Sequence, residues 1–340
     1  MPHPITSSRR QFLVRTGSVA LGLGVTGVLA ACGSSAKSTS SSGSSTASGG
    51  SMTLRIAYNP NPTNTTIVVA DKQGFFEQNG LDVKLTASQA SAALLSSIGK
   101  QYDLITVTPP TLLQASANGI DVVLLAAEDI ENNGKLRNSY LIGAKDLSSV
   151  DDLKGKTIGV PTLSGNLYEG VVAMLVNAGM SKTDVKLLQV PFSDMAGDLS
   201  SGTIQAAATI FPYNGQLLGE GFKDLGNPVM EAVGDEDTAL SAGWAAYTPW
   251  TEKNAEAIAA FNKSQQQALA WMKANMSKAR QILVDDFEIP EQVAKTFPVT
   301  QFVSFEPKES YLEPWVAPMQ AAGDLSKDFD TSIGDLVYQG

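Results

Sequence analysis

The chain has 340 residues, a formal net charge of −10, 43% hydrophobic and 17% charged residues, one histidine and one cysteine. That balance is ordinary for a globular protein, and the acidic excess argues against nucleic acid and against an anionic membrane surface as partners. The histidine is His3 and the cysteine is Cys32, so the rest of the chain can build neither a Ser-His-Asp nor a Cys-His centre, and zinc and redox metals lose their usual ligands.

Arg9, Arg10 and Arg15 precede an apolar, small-residue run from Val19 to Ala31, and no acid occurs before Asp71. The run is shorter than the roughly 20 residues of a membrane span and reads as an export signal. Arg9-Arg10 followed by Gln11-Phe12-Leu13 is similar to a twin-arginine signal, with general secretion as the alternative. Leu29-Ala30-Ala31-Cys32 resembles the lipobox of bacterial lipoproteins, which makes Cys32 the expected lipidation site. Residues 1–32 are therefore expected to be a lipoprotein signal peptide. Without its three arginines the formal charge moves from −10 to −13. Residues 33–51, almost all Ser, Gly, Thr and Ala, read as a flexible tether.

From residue 52 one pattern occurs twice. Leu54–Tyr58 reads as a strand, followed by the loop NPNPTN (59–64), a helix through Ile67, Ala70 and Phe75, a strand at Asp82–Leu85, a strand at Tyr102–Val107, then Thr108-Pro-Pro110 and a helix. The second copy runs from the strand Lys156–Val160 through the loop PTLSGN (161–166). Its helix sets Leu167, Val171, Met174, Leu175 and Ala178 on one face, and the strands Asp184–Leu187 and Gln205–Ile210 follow. The interval from Asp82 to Asp103 is 21 positions, as is that from Asp184 to Gln205. Each copy is a βαβαβ unit, which predicts a parallel sheet with right-handed crossovers.

The chain then returns. Ser241–Tyr247 reads as a strand going back to the first unit. A long helix covers Thr251–Asn275, a second starts at Ser277, a short third lies at Ile289-Pro290, and the tail to Gly340 reads as helical. The predicted fold class is α/β, with two similar lobes, each a mainly parallel sheet flanked by helices, joined by a two-crossover hinge near 140–145 and 235–245. Lobe I is expected to hold 52–140 and 240–340, and lobe II 141–239. The acids Asp328, Asp330 and Asp335 lack the turn glycine of an EF-hand loop and read as solvated surface. No metal site and no cofactor are expected.

The run from Asp71 to Lys84, DKQGFFEQNGLDVK, resembles the G-F-F-x-x-x-G-L-x-V signature of the periplasmic binding proteins for nitrate, taurine, aliphatic sulfonates and thiamin pyrimidine precursors. Leu153–Val160, LKGKTIGV, is similar to the element that opens their second lobe. The resemblance covers about residues 52 to 330. It implies the type II periplasmic-binding-protein fold and delivery of a small solute to the permease of an ABC importer. Family members commonly carry G-x-x-D before the third strand of both lobes. Here Gly99–Asp103 has one residue extra, and Gly202-Thr-Ile-Gln205 ends in Gln.

Ligands of open α/β sheets bind beyond the carboxyl ends of the strands, which puts the loops at 59–66, 106–110, 161–166 and 210–214 around one cleft. The candidate ligand contacts are Asn59, Asn61, Asn64, Thr65, Thr108, Pro109, Ser164, Gly165, Asn166, Phe211, Tyr213 and Trp244. Backbone N–H groups at helix starts, with hydroxyl and amide neighbours, favour an anionic group such as a sulfonate or carboxylate, and three aromatics suit a ring. Two readings stay open for Asn64, Thr65 and Ser164, because helix capping uses the same atoms as ligand binding. Phe211, Tyr213 and Trp244 have core packing as their competing role. Arg137, near a crossing, reads as surface.

The expected function is a monomeric, lipid-anchored, extracytoplasmic receptor for a small organic solute, without enzymatic activity. The alternatives are an enzyme on the same fold acting on a cofactor precursor, or an extracytoplasmic sensor domain.

Overall fold

The structure, a computed structural model, describes residues 51–88, 91–300 and 303–340. The leader with Cys32, and the tether as far as residue 50, lie outside these residues. The first lobe contains β1 (Met52–Tyr58), α1 (Thr65–Lys72), β2 (Leu81–Ala87), β3 (Leu104–Val107), α2 (Pro109–Ala117) and β4 (Val122–Glu131). The second begins with β5 (Ser139–Gly143), β6 (Thr157–Val160), α3 (Asn166–Asn177) and β7 (Lys186–Gln189). It continues with β8 (Ala206–Ile210), α4 (Tyr213–Gly219), β9 (Lys223–Asp224) and α5 (Pro228–Val233). The chain returns as β10 (Ala239–Tyr247), then α6 (Ala255–Ala274), α7 (Met276–Phe287) and α8 (Glu313–Ala322).

The fold is α/β with two similar lobes. One sheet has the order β2-β1-β3-β10-β4 and the other β7-β6-β8-β5-β9. Four strands of each run in one direction, and each sheet also takes one antiparallel strand beside a hinge. β10 lies between β3 and β4, antiparallel to both, and β5 lies between β8 and β9 in the same way. The inner strands are near-continuous apolar runs, such as AAATI in β8, which is buried throughout. Strands covered on both faces have this composition.

The two parallel units superimpose in sequence with a constant offset of 102 positions. Ile56 pairs with Leu104 in one sheet and Ile158 with Ala206 in the other. The offset explains the missing aspartate. Asp103 Oδ2 accepts the backbone N–H of Arg55 at 2.8 Å, and Gln205 Oε1 accepts that of Thr157 at 3.0 Å. An amide oxygen does the same work as the carboxylate. The ionised partner survives in the first lobe, where Asp103 also holds the Arg55 guanidinium at 2.6 Å.

Two expectations need correction. The first crossing is not at 140–145, because residues 140–143 are inside β5. The change of sheet falls between Glu131 and Ser139, where Asn132 Oδ1 accepts the N–H groups of Gly134 and Leu136 and turns the chain. The second crossing precedes Ala239. The tail is not helical throughout. α8 and short 3-10 turns alternate with extended pieces, and Val303 and Val337 bridge to Asp129 and Leu124 along β4.

Away from the cleft the lobes share a core. Trp315 and Met319 of α8 are in one buried cluster with Leu112 and Leu113 of α2 and Val171 and Met174 of α3. At Gly170 a Cβ would lie 2.4 Å from the carbonyl oxygen of Pro228, so α3 and α5 meet backbone to backbone. Gln114 Nε2 of α2 donates to Glu169 Oε1 of α3 at 3.0 Å, and Lys182 pairs with Asp324 at 2.6 Å beside them.

Candidate functional site

The strand tips of both lobes border one cleft of about 530 Å³. Asn59, Asn61 and Asn64 come from the loop after β1, Thr106 to Thr108 from the end of β3, and Thr162, Ser164, Gly165 and Asn166 from the loop after β6. Ile210 and Tyr213 follow β8, and Phe192 follows β7. The floor is made by the hinge: Asp129 near the end of β4, Asn138 and Ser139 at the start of β5, and Ser241 of β10. The loops at 59–64 and 161–166 therefore face the same space.

Eight of the twelve candidates line it. Asn61 is a true cap, since its Oδ1 accepts the Thr63 N–H at 3.1 Å. Asn64 makes no cap bond to α1; its Nδ2 donates to Asn59 O at 2.7 Å. Asn166 bridges the lobes through Nδ2 to Ser241 O at 3.1 Å. Gly165 has φ +84°, and a Cβ there would sit 3.3 Å from Thr108 Oγ1, so the second lobe touches the first at this point. Tyr213 stacks on Phe192 with ring centroids 5.4 Å apart, giving the mouth an aromatic wall.

Four candidates lie elsewhere. Thr65 is buried and donates to Pro62 O at 2.5 Å, closing the turn into α1. Pro109 is buried in the first turn of α2. Phe211 stacks on Phe297, 4.7 Å between centroids, and packs against the first-lobe core. Trp244 is fully buried, edge-on to Phe261, with Nε1 donating to Glu128 Oε2 at 2.7 Å. Successive residues of a strand point to opposite faces, and Trp244 falls on the face covered by α1 and α6. Arg137 is outside the cleft, forked onto Asp224 with both bonds at 2.7 Å and lying over Tyr140.

The acids at the end of β4 carry the electrostatics, and the loop-centred reading passed over them. Glu128 receives Thr66, Trp244 and Gln265. Burial raises its pKa to about 7 against the pull of those three donors. Glu131 ties the hinge together: it accepts Ser139 N–H at 2.9 Å, Ser139 Oγ at 2.7 Å, Asn227 Nδ2 at 3.1 Å and the Ser241 hydroxyl. Asp129 opens on the cleft. Burial first, then the neighbouring charges of Glu131 and Glu128, push its pKa well above the usual carboxylate range; Thr63 and Asn138 offset part of this. A signal was present, since three acids within VVLLAAEDIE are out of place in an apolar run. The cleft lining contains no Lys, Arg or His, and Asp129 is its one acid among the described residues.

Residues 61–279 match the family model described as NMT1/THI5 like. The chain belongs to that family. A putative thiamine biosynthesis protein of Haemophilus influenzae is 32% identical over 154 residues, 44% of this chain and 47% of that protein, so the match spans about half of that relative's length. The formylaminopyrimidine-binding protein of Halalkalibacterium halodurans is 26% identical over 264 residues, 76% of each chain. Among solved structures, the alkanesulfonate-binding protein SsuA of Xanthomonas axonopodis pv. citri superimposes with a TM-score of 0.69 at 19% identity, covering 85% of this chain and 99% of that one. At that identity the likeness is one of fold. Among the described residues no helix is long and apolar enough to cross a membrane.

Proposed function

We propose that this member of the NMT1/THI5 like family is an extracytoplasmic solute receptor that captures a small organic molecule between its lobes and delivers it to an ABC importer. The observation that carries this reading is the cleft of about 530 Å³ at the strand tips of both lobes, floored by the hinge. A ligand touching both lobes and the hinge favours the conformation in which it does so, which is the way hinge closure reports occupancy. The volume and the Tyr213–Phe192 wall suit a ring-bearing solute. A lining without a basic side chain speaks for a nitrogen heterocycle, as in the name of the Halalkalibacterium relative, over a sulfonate. The Arg-rich leader and the lipobox-like Leu29–Cys32 support tethering outside the cytoplasmic membrane through acylated Cys32.

Native mass spectrometry of the protein purified from its own host tests capture. One small organic molecule bound in a one-to-one complex is expected, and removal of the chain is expected to abolish uptake of that molecule. Uptake at the normal rate would overturn the delivery role. Cys32→Ser is expected to release the protein into the medium or periplasm; retention of that variant in the membrane fraction would refute the lipid anchor.

A further inference from the structure

Three buried acceptor atoms belong to residues that line the cleft, Asp129 and Asn138 on its floor and Asn64 in the loop after β1. Asn64, Asp129 and Asn138 are 1%, 1% and 2% exposed, all three line the cleft, and Asn64 Oδ1, Asp129 Oδ1 and Asn138 Oδ1 have no hydrogen-bond partner among the described residues. The amide orientations are fixed by chemistry. Asn64 Nδ2 faces the carbonyl oxygen of Asn59 and Asn138 Nδ2 faces Asp129 Oδ2 at 3.3 Å, both of them acceptors. Turning either amide over would set oxygen against oxygen, so the oxygens are the atoms left for the cleft.

A buried polar atom without a partner is costly, and one carrying charge more so. Three acceptors ask for donors. Asp129 holds its proton in the free protein, since burial and the charges of Glu131 and Glu128 oppose its ionisation and no Lys, Arg or His lines the cleft among the described residues; an N–H cation entering there favours the ionised form and pairs with it. An anionic ligand group at this floor would meet oxygen atoms and like charge. A neutral donor would leave Asp129 protonated, with its own O–H still competing for the neighbouring acceptors, whereas a cation brings donors and stabilises the carboxylate together.

We infer that the floor of the cleft is a subsite for a cationic nitrogen group, an ammonium or amidinium-type centre whose N–H donors are shared by Asp129 Oδ1, Asn64 Oδ1 and Asn138 Oδ1, with the body of the solute against Tyr213 and Phe192. This deepens the capture reading and rests on it. The assignment concerns one end of the solute, and an acidic group at the other end is compatible with it.

The test is a thermal-shift screen of the full chain against a library of small metabolites divided into amines and amidines, neutral amides, carboxylates and sulfonates, with CaCl2 and NaCl as separate wells. Hits are followed by calorimetry on the wild type and on Asp129→Asn. Hits bearing an N–H cation, losing about 10- to 100-fold in affinity in D129N, are expected for a charge-assisted contact. Asp129→Glu, which keeps the charge, is expected to retain more of the affinity than D129N. Hits confined to anionic or neutral compounds, or cationic hits with unchanged affinity in D129N, would overturn the cation subsite while leaving capture intact. Stabilisation by CaCl2 or NaCl alone would reassign the floor to a metal ion and overturn it too. An absence of hits in every class would overturn the capture reading itself. Should D129N fail to fold, the class distribution of the wild-type hits still decides.

Discussion

Glutamine at position 169 removes one titration from the contact between the lobes while keeping its shape. Glu169 is buried on α3, accepts Gln114 through Oε1, and faces the Lys182–Asp324 pair. Burial first, then the charge of Asp324, raise its pKa from 4.5 to about 8, against the opposing effects of Lys182 and Gln114. A carboxyl whose pKa is higher in the folded state binds its proton more tightly there. Its contribution is fully present below about pH 4.5 and is lost as the pH climbs through about 8. A rise from 4.5 to about 8 corresponds to about 5 kcal/mol in full, of which about 3 kcal/mol has gone by pH 7. Glu169→Gln cannot ionise and keeps the acceptor for Gln114. Its stability relative to the wild type is therefore expected to rise by several kcal/mol between about pH 5 and about pH 8.5. Urea unfolding followed by circular dichroism at both ends of that range measures the difference, and the shared effects of Glu128 and Asp129 cancel. Parallel pH profiles for the two proteins would refute the reasoning.

Two further substitutions separate core from cleft. Trp244→Phe removes the indole donor from Glu128 and is expected to cost about 1–3 kcal/mol of stability, read by chemical denaturation, with no change in solute affinity. A large loss of affinity would return Trp244 to the site. Gly165→Val places a side chain at φ +84° against Thr108 and is expected to weaken solute binding about 10-fold by holding the lobes apart. Calorimetry with the co-purified solute measures it, and wild-type affinity would show that this contact does not matter.

What the sequence revealed and concealed follows from locality. The two βαβαβ units could be read because each strand, loop and helix is a local pattern, and the near-identical Asp82–Leu85 and Asp184–Leu187 set their alignment. The strands on either side of the first crossing were harder. β4 opens as the unbroken apolar run Val122–Ala127, so no alternation marks it, and β5 is placed by pairing with β8, more than sixty residues later. Eight cleft residues were legible because strand tips carry ligands in this architecture. Trp244 was misplaced because aromatic character says nothing about which face of β10 it occupies. Asp129 and Asn138 were missed because their importance lies in the hinge, where segments distant in sequence meet. Gln205 shows the reverse case: a departure in sequence that leaves the strand pairing intact.

The position of β10 between β3 and β4 has a consequence for how the molecule is made. A ribosome completes every strand of the second sheet before it reaches Ala239. Until then the first sheet exists as two pieces with bare backbone edges, the kind of surface that pairs with neighbouring chains. A truncation anywhere upstream of β10 would leave no smaller complete fold, because the last inserted strand fastens both pieces at once.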